Sequence, residues 1–181
     1  MKTLEKKTVA DYEALPEGSP YQLIEGELVM SPAPAPDHQV ISGNIYLLLR
    51  MAVRGKGVVL YSPLDVYLDL ENAYQPDIVV ILKGSKAKIT RKGVYGPPDV
   101  VVEILSPSTA YYDLTQKKDV YERSGVREYW IVDPLRRTFE VYLNTEEGFK
   151  LISKAKGKGV VRSEVLSLEL DLEEVFEGIE T

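Results

Sequence analysis

The 181-residue chain contains no cysteine, which excludes disulfides, thiolate catalysis and a zinc site built on sulfur. No stretch reaches the roughly 18 unbroken apolar residues of a membrane span, and the opening residues MKTLEKKTVADYEALPEG lack the apolar centre of a signal peptide. A soluble cytoplasmic protein is expected. Positive charge is not in excess either: the net charge is -6 and the isoelectric point about 5.0. That argues against strong non-specific binding to nucleic acid, which depends on neutralising phosphates, although a local basic groove stays open. Internal repeats and flexible linkers are absent, and 44% hydrophobic content suits one domain over residues 1–181. With a single histidine and no GxSxG elbow, serine-histidine hydrolysis is not expected.

The apolar pattern alternates between helix and strand periods. Thr8 is placed to cap a short helix ending at Pro16, and Tyr21 to Met30 reads as a hairpin turning at Glu25-Gly26. After the connector SPAPAP, Asp37 is placed as the N-cap of a helix of about 15 residues, with His38, Ile41, Ile45, Leu48 and Ala52 on one stripe. His38 therefore faces with the apolar side, as a hydrogen-bonded core or capping group or as a site residue. Gly55 and Gly57 close that helix, and GVVLYSPLDVYLD gives one bent strand or two short ones around Pro63. Strands PDIVVIL and PDVVVEIL follow, separated by a basic loop. Asp113 to Ser124 reads as a helix ending at Gly125. The strand REYWIVD turns at Pro134 into TFEVYLN, then come GFKLIS, EVLSLEL and a short helix DLEEVF. The order predicts an α/β core rather than an all-β barrel.

Two strands carry a carboxylate where a buried strand ordinarily carries none: Asp77 in QPDIVV and Glu103 in PDVVVEIL. An ionised carboxylate buried without a partner costs several kcal/mol, so each demands a cation, a metal or a set of donors. If the two strands are antiparallel neighbours, Asp77 at the start of one meets Glu103 near the end of the other. Asp99, Val101, Glu103 and Leu105 share a face by the period of two. Such a pair suits an oxygen-loving cation such as Mg²⁺ or Mn²⁺, with the Ile104 carbonyl as a further ligand. On the following helix, with Leu114 at 0° and about 100° per residue, Lys117 falls at about 300°, between Tyr121 and Val120 and hence inward. An inward lysine orients water and offsets charge in phosphoryl transfer, or forms a structural ion pair with Glu103.

Other polar residues have two readings as well. Lys83, Lys86, Lys88 and Arg91 belong to a run without an acid, as does the sparser set Lys150, Lys154, Lys156, Lys158 and Arg162; each is a phosphate contact or a solvated loop. The first run is expected on the order of 16 Å from the acidic pair, one strand length away. Tyr129 and Trp130 read as core or as base-stacking groups, and Ser106, Ser108 and Thr109 as phosphate donors or turn residues.

The run PDVVVEILSPST…YDLTQKKDVYERSGVREYWIVDP, with QPDIVV and YQLIEGELVMSPAPAPDH upstream, resembles the Uma-type restriction endonuclease family of the PD-(D/E)XK nuclease superfamily, over about Tyr12 to Phe176. The resemblance implies a restriction-endonuclease-like core, a mixed central sheet flanked by helices with additional N- and C-terminal hairpins. It also implies metal-dependent phosphodiester hydrolysis. Asp77 matches the Asp of the PD element and Glu103 the acidic residue of (D/E)XK. Leu105 stands where the motif lysine is expected, and Lys117 matches a lysine on the next helix. Glu27 and His38 match recurrent accessory positions, and Asp113 is placed to cap the lysine helix.

These readings give a Mg²⁺-dependent DNA endonuclease, acting as a homodimer through exposed terminal strands if both strands are cut. The alternative is a catalytically inactive nuclease-fold module that binds nucleic acid or protein.

Overall fold

The computed structural model describes residues 4–180. Its centre is a six-stranded mixed sheet in which the strands at 78–82, 100–104 and 128–133 are nearly all apolar and buried, as expected of strands covered on both faces. In chain order they are β3 (Gly57–Tyr61), β6 (Ile78–Leu82), β9 (Val100–Ile104), β10 (Glu128–Asp133), β11 (Thr138–Thr145) and β12 (Gly148–Lys156), arranged β12-β11-β10-β9-β6-β3. Strands β6 and β9 are antiparallel neighbours, with Ile78 opposite Val102 and Val80 opposite Val100. Strands β9 and β10 are parallel. GVVLYSPLDVYLD therefore forms two short strands, β3 and β4 (Val66–Asp69), which go to different sheets.

The second sheet, β2-β1-β5-β4-β8-β7, is built from the N-terminal hairpin β1 (Tyr21–Ile24) and β2 (Glu27–Met30), strands β4 and β5 (Asn72–Tyr74), and a ribbon of β7 (Lys88–Ile89) and β8 (Val94–Tyr95). Glu25 and Gly26 turn the first hairpin with φ of 50° and 81°, the left-handed pair that a two-residue hairpin turn requires. The basic segment is thus a ribbon joined to β4, where a loop was expected.

Alternation along the strands divides the core in two. Ile78, Val80, Val100, Val102, Trp130 and Val132 face helix α2 (Pro36–Val53) and the C-terminal elements, while Val79, Ile81, Val101, Tyr129 and Ile131 face the second sheet and helix α4 (Gln116–Ser124). The C-terminal hairpin, β13 (Val160–Ser163) with β14 (Leu168–Asp171), leads into helix α5 (Leu172–Val175) beside α2. Buried Glu128 ties this hairpin to the sheet: its carboxylate accepts from Trp130 Nε1 at 2.8 Å, Ser163 Oγ at 2.7 Å and the Val165 amide at 2.7 Å. Trp130 and Tyr129 are core residues, each fully buried.

Three local expectations shift. Ala35 is the N-cap of α2, with Pro36 and Asp37 in its first turn; proline suits that position because its missing N–H would be unpaired there anyway. The buried stripe of α2 is Ile41, Ile45, Leu49 and Val53, a constant step of four, so Leu48 and Ala52 are only half-buried. The helix over 113–124 begins earlier and is broken: α3 (Ala110–Leu114) and α4 meet at Thr115, whose φ of -123° and ψ of -95° are not helical. Helix α1 (Val9–Glu13) follows Thr8, whose amide donates to the Asp11 carboxylate at 2.8 Å.

Candidate active site

The residue preceding β6 and the fourth residue of β9 come together because the two strands run antiparallel. Asp77 precedes Ile78, and its carboxylate accepts from the Ile104 amide at 2.7 Å. Glu103, odd-numbered like Val101, projects to the face covered by the second sheet and α4, where it is 3% exposed.

Helix α4 completes a cluster there. Lys117 Nζ lies 2.8 Å from Glu103 Oε1 and 2.8 Å from Asp113 Oδ1, and the lysine itself is 2% exposed. Its inward position agrees with the helical spacing. Asp113 does not cap the helix. It lies in α3, one turn before Lys117, and is spent on the ammonium. Tyr121, a further turn along, donates its hydroxyl to Glu103 Oε1 at 2.8 Å, and Tyr129 donates to the Asp113 carbonyl at 2.7 Å. Two tyrosines and two strand ends thus fix the carboxylates from behind.

The electrostatics follow from crowding. Burial raises the Glu103 carboxyl well above the usual carboxylate range, Lys117 draws it back, and Asp113 and Asp77 push it up again. Asp113 is raised by burial against the opposing pull of Lys117. For Lys117 burial works towards the neutral amine, but the Asp113 and Glu103 carboxylates prevail and hold it above its ordinary value, so it is a cation. Two carboxylates thus hold one ammonium, with Asp77 a third carboxylate beside His38.

His38 reaches the same strand ends from the first turn of α2. Its Nε2 lies 3.1 Å from the Ile104 carbonyl and 3.2 Å from Asp77 Oδ1. Burial disfavours its charged form, yet the hydrogen bond and charge of Asp77, helped by the Ile104 carbonyl, raise its pKa above the usual 6.5. With Nε2 as donor, Nδ1 is buried without a partner among the described residues. The ring is thus half-buried and hydrogen-bonded at the strand ends rather than packed in the apolar core.

These groups line one cleft of about 880 Å³ that contains Asp77, Glu103, Ile104, Asp113, Lys117 and His38. Ser106, Ser108 and Thr109 stand on its rim, with Ser106 Oγ and Thr109 Oγ1 2.7 Å apart. Glu27 does not belong to it: it is exposed at the start of β2 and outside the cleft lining. Lys83, Lys86, Lys88 and Arg91 are also exposed and outside it. Arg91, however, lines a second hollow of about 420 Å³ that shares Gly18, Ser19 and Gln75 with the cleft. The ribbon tip thus borders a hollow that adjoins the cleft.

Three cleft residues carried no warning in the sequence. Tyr46, Tyr61 and Gln75 all line the cleft, and tyrosine is frequent enough here, 12 in the chain, to hide two of them.

A family model described as "Putative restriction endonuclease", Uma2, matches residues 9–177. The chain belongs to this family. An uncharacterized Synechocystis protein, sll1609, is 22% identical over 140 residues, covering 76% of this chain and 79% of its own length. A crystal structure described as a putative nuclease of the DUF820 group, from Anabaena variabilis, superposes with a TM-score of 0.77 at 22% identity, covering 93% of this chain and 97% of the other. The Uma2 chain therefore has the restriction-endonuclease-like fold, with Asp77 and Glu103 at the strand ends described above and Lys117 on α4.

For a divalent cation the donor set is chemically suitable. Asp77, Glu103 and the Ile104 carbonyl all offer oxygen. Among the described residues no group of three or more His, Cys, Asp or Glu side chains is placed to hold a metal ion. Mg²⁺ does not ask for one, since it keeps several waters and takes one or two carboxylates.

Proposed function

We propose that this Uma2 protein is a Mg²⁺- or Mn²⁺-dependent endonuclease that hydrolyses phosphodiester bonds of DNA. The observation that carries the reading is the ammonium of Lys117, buried 2.8 Å from Glu103 and lining the same cleft as Asp77. It fills the role of the motif lysine that Leu105 vacates.

Asp77, Glu103 and the Ile104 carbonyl would hold the cation, which supplies Lewis-acid polarisation of the phosphate and activation of a water. The protein's own groups do the remainder. Lys117 provides a fixed positive charge towards which negative charge on the phosphoryl oxygens develops, in a site too dry for solvent to screen it. Tyr121 and Asp113 hold Glu103 and Lys117 in place. His38 orients Asp77 and the Ile104 carbonyl through one ring nitrogen, leaving the other as a proton acceptor. Arg91 extends the positive surface from the rim. Cutting both strands of a duplex takes two such sites, and activity on a duplex therefore goes with a homodimer.

One observation favours the inactive alternative, namely that Lys117 is already satisfied by two carboxylates in a buried ion-pair cluster. Titration calorimetry with Mg²⁺ and Mn²⁺ on wild type, Asp77→Ala and Glu103→Ala, beside plasmid nicking on the same samples, separates the two. Metal binding and nicking lost together in both variants supports the nuclease. A wild type that binds no cation, or that nicks equally in EDTA, refutes it.

A further inference from the structure

The cleft is not uniformly polar. One wall is a stripe of α2: His38, Ser42 and Tyr46, spaced by four and therefore on one face, all line it, together with Gly43. At the end of this stripe the Tyr46 ring meets Tyr61 of β3 edge-to-face, with centroids 4.9 Å apart and planes at 75°. Tyr61 is 59% exposed, an unusual place for a large aromatic ring that the fold does not need covered. Its position is nonetheless fixed. Tyr61 pairs with Ile78, and the Ser62 amide donates to the Asp77 carbonyl at 2.9 Å, so the exposed ring is one residue in register from the Asp77 carboxylate. From His38 to Tyr46 the helix rises about 12 Å, which is roughly two to four nucleotides of one strand.

The floor between the carboxylates and the rings is open. Gly43 lies in the middle of an 18-residue helix, where glycine costs about 1 kcal/mol relative to alanine. A methyl group there would meet nothing within 4 Å. Packing against the core gives no reason for this glycine, whereas a channel over it does.

Resting on the nuclease reading, we propose that Tyr61, braced by Tyr46, is a stacking platform for an unpaired base next to the scissile phosphate, and that the substrate is a single strand or an unpaired stretch of nucleic acid. A cleft of 880 Å³ has the size that encloses a small ligand, which suits one or two nucleotides and not a duplex. A chain of net charge -6 with three carboxylates in the cleft gains little from phosphate attraction. Stacking on a neutral base is free of that penalty and indifferent to sequence.

The test is fluorescence anisotropy with a labelled 12-nucleotide oligothymidylate, and with the same strand paired to oligoadenylate, in Ca²⁺ for the intact protein. Wild type binds the single strand more tightly than the duplex. Tyr61→Ala weakens single-strand binding by roughly ten- to a hundredfold, Tyr61→Phe leaves it within about twofold, and Gly43→Leu weakens it while raising thermal stability. Binding by Tyr61→Ala equal to wild type, or tighter binding of the duplex, overturns the platform. Nicking by the wild type, lost in Lys117→Ala, distinguishes that failure from a failure of the nuclease reading, since it persists in the first case and is absent in the second.

Discussion

Lys117 is where residue chemistry and stability meet, because the same ammonium that would act on phosphate also neutralises two buried carboxylates. Lys117→Ala leaves Glu103 and Asp113 facing each other at 3% exposure each, and removing one partner of a buried pair costs about 3–5 kcal/mol. Urea denaturation should show that loss alongside abolished nicking; an Ala variant as stable as wild type would mean that solvent reaches the cluster. Lys117→Arg separates the two roles, keeping a cation and most of the stability but misplacing its charge, so that nicking falls well below wild type. The sequence showed its inward position, since Lys117 shares a helix face with the buried Val120 and Tyr121, although Leu114, the reference for that angle, lies in α3 and is exposed. Asp113 was visible only as a cap. Its pairing with Lys117 is an i,i+4 contact, a spacing that brings side chains together on a helix face, while the break at Thr115 is announced by no propensity rule. Glu27 illustrates the opposite case: a position matched by pattern that is exposed and outside the cleft lining.

Among the elements, the C-terminal hairpin depends on one side chain. Glu128 receives three donors, from Trp130, Ser163 and Val165, and it faces away from the catalytic groups because strand alternation sends even-numbered residues of β10 to the α2 side. Glu128→Ala strands these donors in the core at about 1–3 kcal/mol each, so the melting temperature falls sharply. Trp130, the only tryptophan, should report the change as a red-shifted emission, while calorimetric metal binding at a temperature where the variant is folded stays as in wild type. Loss of metal binding in a folded Glu128→Ala would show that the hairpin supports the site after all. The strands were readable from their apolar runs, whereas the antiparallel pairing of β6 with β9, and with it the meeting of Asp77 and Glu103, was a condition that the runs allowed and the register meets. The ribbon β7/β8 was not, because strands of two residues are too short to show a period, and a run of exposed lysines reads as a loop in either case.

For the whole molecule, acidity and nucleic-acid binding have to be reconciled, and the salt dependence of binding measures how. Lys83, Lys86, Lys88 and Arg91 are exposed, and the hollow at Arg91 adjoins the cleft through Gly18, Ser19 and Gln75. By contrast Lys150, Lys154 and Arg162 of the second basic set are each paired with a glutamate, and on the edge strand β12 such lysines discourage further strand pairing. The basic segment 83–91 is therefore the set beside the cleft that is open to phosphates. If each of its four cations neutralises one phosphate of a single strand, the logarithm of affinity falls against the logarithm of salt with a slope of about -3, at roughly 0.7 per contact. Replacing all four by serine should bring the slope towards zero while sparing the stacking contribution at Tyr61, which salt does not screen. An unchanged slope in that variant would take the ribbon off the nucleic-acid surface and leave the cleft to bind its strand by stacking and the cation alone. A slope near -8 in the wild type would require at least twice as many phosphate contacts as the ribbon can make, and would move the reading from a single strand to a duplex lying across a broad face.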